Sequence, residues 1–203
     1  MKKNLLFAVV CLNYVVAVPV SAMALSFDTK AKQAILLDYD TGTVLFEKNA
    51  DQRMPTSSMS KTITAYQVFD KLKKGELSLN DTFLVSEQAW RQQGSKMFVE
   101  LGNKIKVEDL LRGLIVQSGN DAALVLAEGV AGSETAFAAM LNDTAKKIGM
   151  KDSNFTNASG WPDPNHYSTA RDLAMLGVYL IRDFPDFYRY FSELESRQPK
   201  STG

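Results

Sequence analysis

Nearly all the strand-forming sequence of this 203-residue chain lies before residue 48, and most of the remainder reads as helix. Ala34 to Asp38 and Thr43 to Glu47 are β-rich runs flanking Tyr39-Asp40-Thr41-Gly42. Such a tetrapeptide reads as a hairpin turn with glycine at a left-handed position. A two-stranded hairpin is marginal in water and leaves both edges open. The last ten residues, Leu194 to Gly203, hold one apolar side chain and supply no strand. The expected class is therefore α+β, with a helical lobe present and an antiparallel sheet left incomplete for want of C-terminal strands.

The helices follow from apolar spacing and caps. One is expected from Ser58 to Lys74, with Ile63, Ala65, Phe69 and Leu72 toward the core and Gly75 as its stop. Val107 to Val116 carries Leu110, Leu111, Leu114 and Ile115 as an apolar stripe. Asp121 to Gly129 begins another helix, and Ser133 caps one that runs to Ile148 before Gly149. Thr169 to Asp172 fits a capping box for a helix to Ile181, and Pro185 can open a short helix through Phe191. Thr82 to Ser86 reads as a short strand or extended link, while Gly94 to Lys106 and Met150 to Tyr167 read as loops. There is no internal repeat and no linker that would divide two domains.

Hydrophobic content of 45% and charged content of 23% are ordinary for a globular protein. Lysine plus arginine balances aspartate plus glutamate at 23 each, which gives no reason to expect nucleic acid or an anionic membrane as partner. The start of the chain differs. Lys2 and Lys3 precede an apolar run from Leu5 to Val20, and Ala22-Met23-Ala24 comes next, with small residues at the spacing of a cleavage site. Residues 1–24 are therefore expected to be a secretory signal peptide, leaving 25–203 as the mature, exported chain. A transmembrane anchor is the alternative, but the run is short for a span and is interrupted by Asn13 and Pro19. Cleavage would remove Cys11, the only cysteine, and leave no stable membrane anchor in this chain. With no cysteine and one histidine, His166, a structural zinc site has no ligand set, and no cofactor is expected.

Two motifs carry chemistry. Ser58-Met59-Ser60-Lys61 places a serine and a lysine three apart, side by side on one helical face. An unprotonated lysine amine there can take the hydroxyl proton, which activates a weak nucleophile without histidine. By itself the pattern is weak, since roughly one such match is expected by chance in a chain this long. Its position just after Pro55, at a helix start, favours developing negative charge and disfavours an ammonium on Lys61. Ser118-Gly119-Asn120 lies in a break between two helices, where a hydroxyl and an amide can face a cleft. In acyl-transfer chemistry of this type the serine relays a proton to the leaving nitrogen, and the asparagine holds the lysine or the substrate amide.

Further stretches join these two: Asp38-Tyr39-Asp40-Thr41-Gly42, Pro55-Thr56-Ser57 before Ser58, Leu111 through Ala123 around the second motif, and Tyr167-Ser168-Thr169-Ala170-Arg171-Asp172. From about Gln33 to Glu193 the chain resembles the serine-type D-alanyl-D-alanine carboxypeptidases, the low-molecular-mass penicillin-binding proteins. The resemblance implies the penicillin-binding-protein/serine β-lactamase-like transpeptidase fold, with 25–203 as part of a catalytic domain. It implies that Ser58 is acylated by the penultimate D-alanine of a peptidoglycan stem peptide, with release of the terminal D-alanine. Lys61 would be the base, Ser118 the proton relay and Asn120 a substrate-binding residue. β-Lactams would trap the acyl-enzyme, and the expected place of work is the periplasm.

The family's third motif, Lys-Thr-Gly on a strand edging the cleft, has no counterpart with a strand around it. Lys200-Ser201-Thr202-Gly203 carries an extra serine, comes directly after Arg197-Gln198-Pro199, and reads as chance. The mismatch from near Glu193 points to a frameshift or early stop, so an inactive or poorly folded remnant stands as the alternative function. A serine β-lactamase is a further alternative, but no glutamate occurs between Glu134 and Glu193 to serve class A deacylation. A Ser-His-Asp hydrolase would need His166, which reads as an exposed loop side chain.

Overall fold

Helix α1, Lys61–Lys73, is the post around which the molecule is built: α3, α4, α5 and α6 all pack against it. Ile63, Ala65, Val68 and Phe69 on it are fully buried, so its apolar surface runs round the helix and not along one stripe. Thr64 and Gln67, buried polar residues on its length, are satisfied. Thr64 Oγ1 donates to the Ala158 carbonyl at 2.7 Å, and Gln67 Oε1 accepts from Thr144 Oγ1 at 2.6 Å.

The structure is a computed structural model that describes residues 29–194. The expected leader at 1–24 and the segment Lys200-Ser201-Thr202-Gly203 lie outside the described residues. Along the chain come β1 (Ala34–Leu37), β2 (Val44–Lys48), a 3₁₀ turn (Ser57–Ser60), α1, β3 (Thr82–Leu84), α2 (Glu87–Trp90) and β4 (Lys104–Lys106). After them come α3 (Val107–Ile115), α4 (Asn120–Ala131), α5 (Glu134–Lys147), α6 (Ala170–Asp183), α7 (Pro185–Tyr188) and a last 3₁₀ turn (Arg189–Ser192).

The first hairpin forms as its sequence requires. Ala34 pairs with Lys48 and Leu37 with Val44, and Gly42 sits at φ +69° in the turn. Asp38 Oδ1 accepts from the Thr41 amide at 2.8 Å, which holds the turn shut. The hairpin leans on α6 through β1, but Leu36 and Leu45 remain 49% and 61% exposed. A second hairpin, β3 with β4, departs from the sequence expectation: the strand at Lys104–Lys106 falls in a stretch that reads as loop. Three residues with one apolar side chain, Ile105 between two lysines, are too short a run for alternation to register.

Side-chain caps open α2, α5 and α6. Ser133 Oγ accepts from the Ala136 amide at 3.1 Å to open α5, and Thr169 Oγ1 accepts from the Asp172 amide at 3.1 Å to open α6. The box at α6 is one-sided. Asp172 turns its carboxylate to the Asp152 amide and the Ser153 hydroxyl at 2.9 and 2.7 Å, which ties α6 to the loop before it. Helix α4 forms the middle of the core, with every residue from Ala122 to Ala127 at most 1% exposed. Arg112 of α3 pairs with Glu193 at 2.8 Å and Glu108 at 3.0 Å, fixing the segment after α7 against α3.

This distribution of burial predicts unequal responses to truncation. Leu126→Ala is expected to cost about 2–5 kcal/mol in chemical denaturation, because it opens a cavity in the packed centre. Leu45→Ala on the hairpin is expected to stay within about 0.5 kcal/mol of the parent.

Candidate active site

Ser58 lies in the 3₁₀ turn that precedes α1, not in the α-helix expected from the sequence. The difference tightens the arrangement, because residues three apart eclipse each other in 3₁₀ geometry. Ser58 is exposed and Lys61, the first residue of α1, is 5% exposed. Lys61 Nζ donates to Ser58 Oγ at 3.0 Å, to Asn120 Oδ1 at 2.7 Å and to the Ser159 carbonyl at 3.0 Å. All three partners are neutral oxygens.

Burial pushes the Lys61 amine down to about 8, and the nearby Asp121 carboxylate works weakly against that fall. The deprotonated amine keeps two hydrogens, which suit Asn120 and Ser159. Its lone pair then faces the Ser58 hydroxyl, an arrangement that would allow the amine to accept the hydroxyl proton.

Asn120 opens α4, and its orientation is set from outside the pair. Its Nδ2 donates to the Gln93 carbonyl at 2.6 Å, so Oδ1 is the atom left to face Lys61. Asp121 is fully buried and accepts from the amides of Met97, Val99 and Ala122 at 2.9, 3.2 and 2.9 Å. These bonds lace the loop before β4 to the start of α4. Ser118 lies in the break between α3 and α4, as its motif predicts, with a left-handed backbone at φ +55°. Its half-buried side chain makes no hydrogen bond among the described residues. The structure thus joins Ser58, Lys61 and Asn120 in one hydrogen-bonded group and leaves the Ser118 hydroxyl unengaged, two residues before Asn120.

Sequence reasoning missed the third oxygen on Lys61. A backbone carbonyl leaves no mark in residue type, but Asn157-Ala158-Ser159-Gly160 carries turn chemistry that could have pointed to it. Asn157 Oδ1 accepts from the amides of Ser159, Gly160 and Trp161 at 3.2, 2.8 and 2.9 Å, curling the loop so that the Ser159 carbonyl reaches Lys61. Gly160 sits at φ +80°, and a Cβ there would lie 1.8 Å from the Ser57 carbonyl oxygen. Only glycine lets this loop close on the 3₁₀ turn. Beside Gln93 and Ser159 opens a cavity of about 850 Å³, also walled by Glu128, Glu134, Asn157 and Trp161.

His166 corrects an expectation. It is 4% exposed, not an exposed loop side chain. Its Nδ1 accepts from the Thr156 amide at 3.1 Å and its Nε2 meets Ser60 Oγ at 2.7 Å, so two hydrogen bonds offset the cost of burying the ring. Ser60 is fully buried, and the far nitrogen of the ring faces an amide and not a carboxylate. A Ser-His-Asp reading therefore has neither an accessible serine nor an acid.

An amine whose charged form is disfavoured by burial has a signature in stability. The folded value of Lys61, about 8, lies below the ordinary lysine value of 10.5, so the unfolded chain binds more protons between them. The contribution of this group to stability is expected to rise with pH through that window. Lys61→Met should remove the rise and raise the melting temperature at pH 7, as measured by thermal denaturation from pH 7 to 10.

Comparison with known proteins identifies the family and the fold. The family model described as D-alanyl-D-alanine carboxypeptidase matches residues 19–202, continuing past Glu193, where the motif-by-motif resemblance ends. The chain is 41% identical over 166 residues to D-alanyl-D-alanine carboxypeptidase DacA of Haemophilus influenzae, covering 80% of this chain and 42% of that protein. It is 40% identical over 171 residues to DacC of Escherichia coli, covering 81% of this chain and 43% of that one. The chain thus spans about two fifths of the length of these curated relatives. The crystal structure of the carboxypeptidase DacD from Francisella tularensis superposes with a TM-score of 0.81 at 39% identity, covering 82% of this chain and 40% of that one. Penicillin-binding protein 5 of Haemophilus influenzae superposes with a TM-score of 0.78 at 41% identity, covering 80% and 48%. The fold is that of the penicillin-binding proteins, and the chain belongs to the D-alanyl-D-alanine carboxypeptidase family.

Proposed function

We propose that this chain carries the acylation site of a serine-type D-alanyl-D-alanine carboxypeptidase acting on peptidoglycan stem peptides. The observation that carries the reading is the buried Lys61 amine, 3.0 Å from an exposed Ser58 hydroxyl and down to about 8. At pH 7 roughly one Lys61 in ten is then neutral, against fewer than about one in a thousand for an ordinary lysine.

The Ser58 proton passes to the Lys61 lone pair as Ser58 Oγ bonds to the carbonyl carbon of the penultimate D-alanine. Collapse of the tetrahedral intermediate breaks the carbon–nitrogen bond. The leaving amine takes its proton through Ser118, which supplies an unengaged hydroxyl for the transfer. Asn120 orients the lysine and offers its amide edge to the substrate backbone. Water, deprotonated in turn, hydrolyses the ester and frees Ser58. A β-lactam in place of the peptide leaves Ser58 acylated.

Residues 1–24 serve in this reading as an export signal, supported by their charge and apolar pattern, and 25–203 belong to a catalytic domain at work in the periplasm. The relatives, D-alanyl-D-alanine carboxypeptidases, support the substrate class.

Labelling with a fluorescent penicillin tests the reading. The protein is expected to label, with a rate that climbs with pH as Lys61 loses its proton and levels off above about 8. Ser58→Ala should abolish labelling, and Lys61→Ala should slow it about a hundredfold or more. Equal labelling of the folded Ser58→Ala protein would refute the nucleophile.

A further inference from the structure

His166 is the chain's only histidine, and the two segments it joins are two of the three that meet at Lys61. Ser60 directly precedes Lys61 and stands between it and Ser58. Thr156 opens the short loop whose Ser159 carbonyl caps the Lys61 amine. The ring's protonation follows from its partners. Nδ1 accepts the Thr156 N–H at 3.1 Å and so carries a lone pair. Nε2 therefore carries the hydrogen and donates it to Ser60 Oγ at 2.7 Å, and Ser60 Oγ shares a further hydrogen bond with Thr56 Oγ1 at 2.5 Å in which either hydroxyl can be the donor. Thr56, Ser60 and His166 are all at most 4% exposed. Ser60 spends its side chain on this chain of bonds instead of capping α1, which begins without a side-chain cap.

We infer that His166 is a positioning residue for the Ser58–Lys61 pair, a neutral imidazole bridge that clamps the loop carrying the Ser159 carbonyl onto the 3₁₀ turn carrying Ser58. The inference rests on the acyl-transfer reading for its purpose but not for its geometry. Gly160 brings the same two segments into contact at the Ser57 carbonyl, and Thr64 Oγ1 of α1 donates to the Ala158 carbonyl at 2.7 Å, but neither contact anchors the Thr156 end of the loop or gives it direction. The bridge does both. Without the bridge the Thr156 end of the loop loosens from the 3₁₀ turn, the Ser159 carbonyl shifts from Lys61, water reaches the amine, and the base moves toward an ordinary ammonium. The edge of the ring faces Phe155, with 5.5 Å between ring centroids, and the nearby charge is the Asp163 carboxylate. Loss of the bridge is thus read at Lys61, on a different element, and not at the ring.

The test is a carbon-13 NMR titration of the Lys61 side chain in the parent, His166→Gln and His166→Phe proteins, with Lys61→Arg to assign the signal. The parent is expected to titrate near 8. Glutamine can donate to Ser60 and accept from Thr156, and should keep that midpoint. Phenylalanine should move it upward by about one pH unit or more, leaving about tenfold less neutral amine at pH 7. A folded His166→Phe protein with the parent midpoint overturns the inference, as does an equal rise in His166→Gln. Should His166→Phe fail to melt cooperatively, Ser60→Ala removes the acceptor and keeps the ring, and it must show the same upward movement. Nitrogen-15 spectra of the parent's single histidine add an independent check: a neutral ring with hydrogen on Nε2 is expected at pH 7, and hydrogen on Nδ1 overturns the bridge. A parent that titrates near 8 but never labels with penicillin refutes the acyl-transfer reading and leaves the bridge standing.

Discussion

The amine of Lys61 is held out of water among three uncharged oxygens, and the rest of the site is arranged so that it stays there. No carboxylate touches it. An ion pair would have kept the ammonium, since an opposite charge in contact raises a lysine while desolvation lowers it. The carboxylate that acts on it, Asp121, is spent on three backbone amides. The balance falls to desolvation, and the base is available near neutral pH.

Three separate stretches of chain must meet for this to hold. The 3₁₀ turn brings Ser58 beside Lys61, the start of α4 brings Asn120, and the loop after α5 brings Ser159. Each is anchored by its own bonds: Asn120 through the Gln93 carbonyl, the loop through Asn157, and the turn through Ser60 and His166. Helix α1, buried on nearly every side, supplies the rigid base beneath them. Burying a lysine with neutral partners costs stability, and the packed centre of α1, α3, α4 and α5 offsets it.

What is legible in the sequence is what has a period or a residue type. The longer helices appear where apolar spacing and capping side chains predict them, with Ser133 and Thr169 accepting the bonds expected of caps, whereas the single turn of α2 has no such expectation behind it. Ser58, Lys61 and Asn120 are marked by type and spacing, and the fold brings them together. The Ser159 carbonyl has no such mark, because any residue could present it; only the Asn157 turn and Gly160 betray the loop's shape. His166 escapes sequence reasoning for a related reason. Its neighbours Asp163, Pro164 and Asn165 are surface types, and the partner that draws the ring inward, Ser60, is more than a hundred residues away. Strand β4 is too brief to register, and the start of α1 is displaced because a 3₁₀ turn and an α-helix share their side-chain preferences.

The central claim is that the buried amine of Lys61 activates one serine out of the three clustered at Ser57, Ser58 and Ser60. Peptide mapping by mass spectrometry after exposure to benzylpenicillin at pH 8 tests it most directly. The account predicts one penicilloyl group, on Ser58. An adduct on Ser57, Ser60 or Ser118, or none on protein that melts cooperatively, would contradict it.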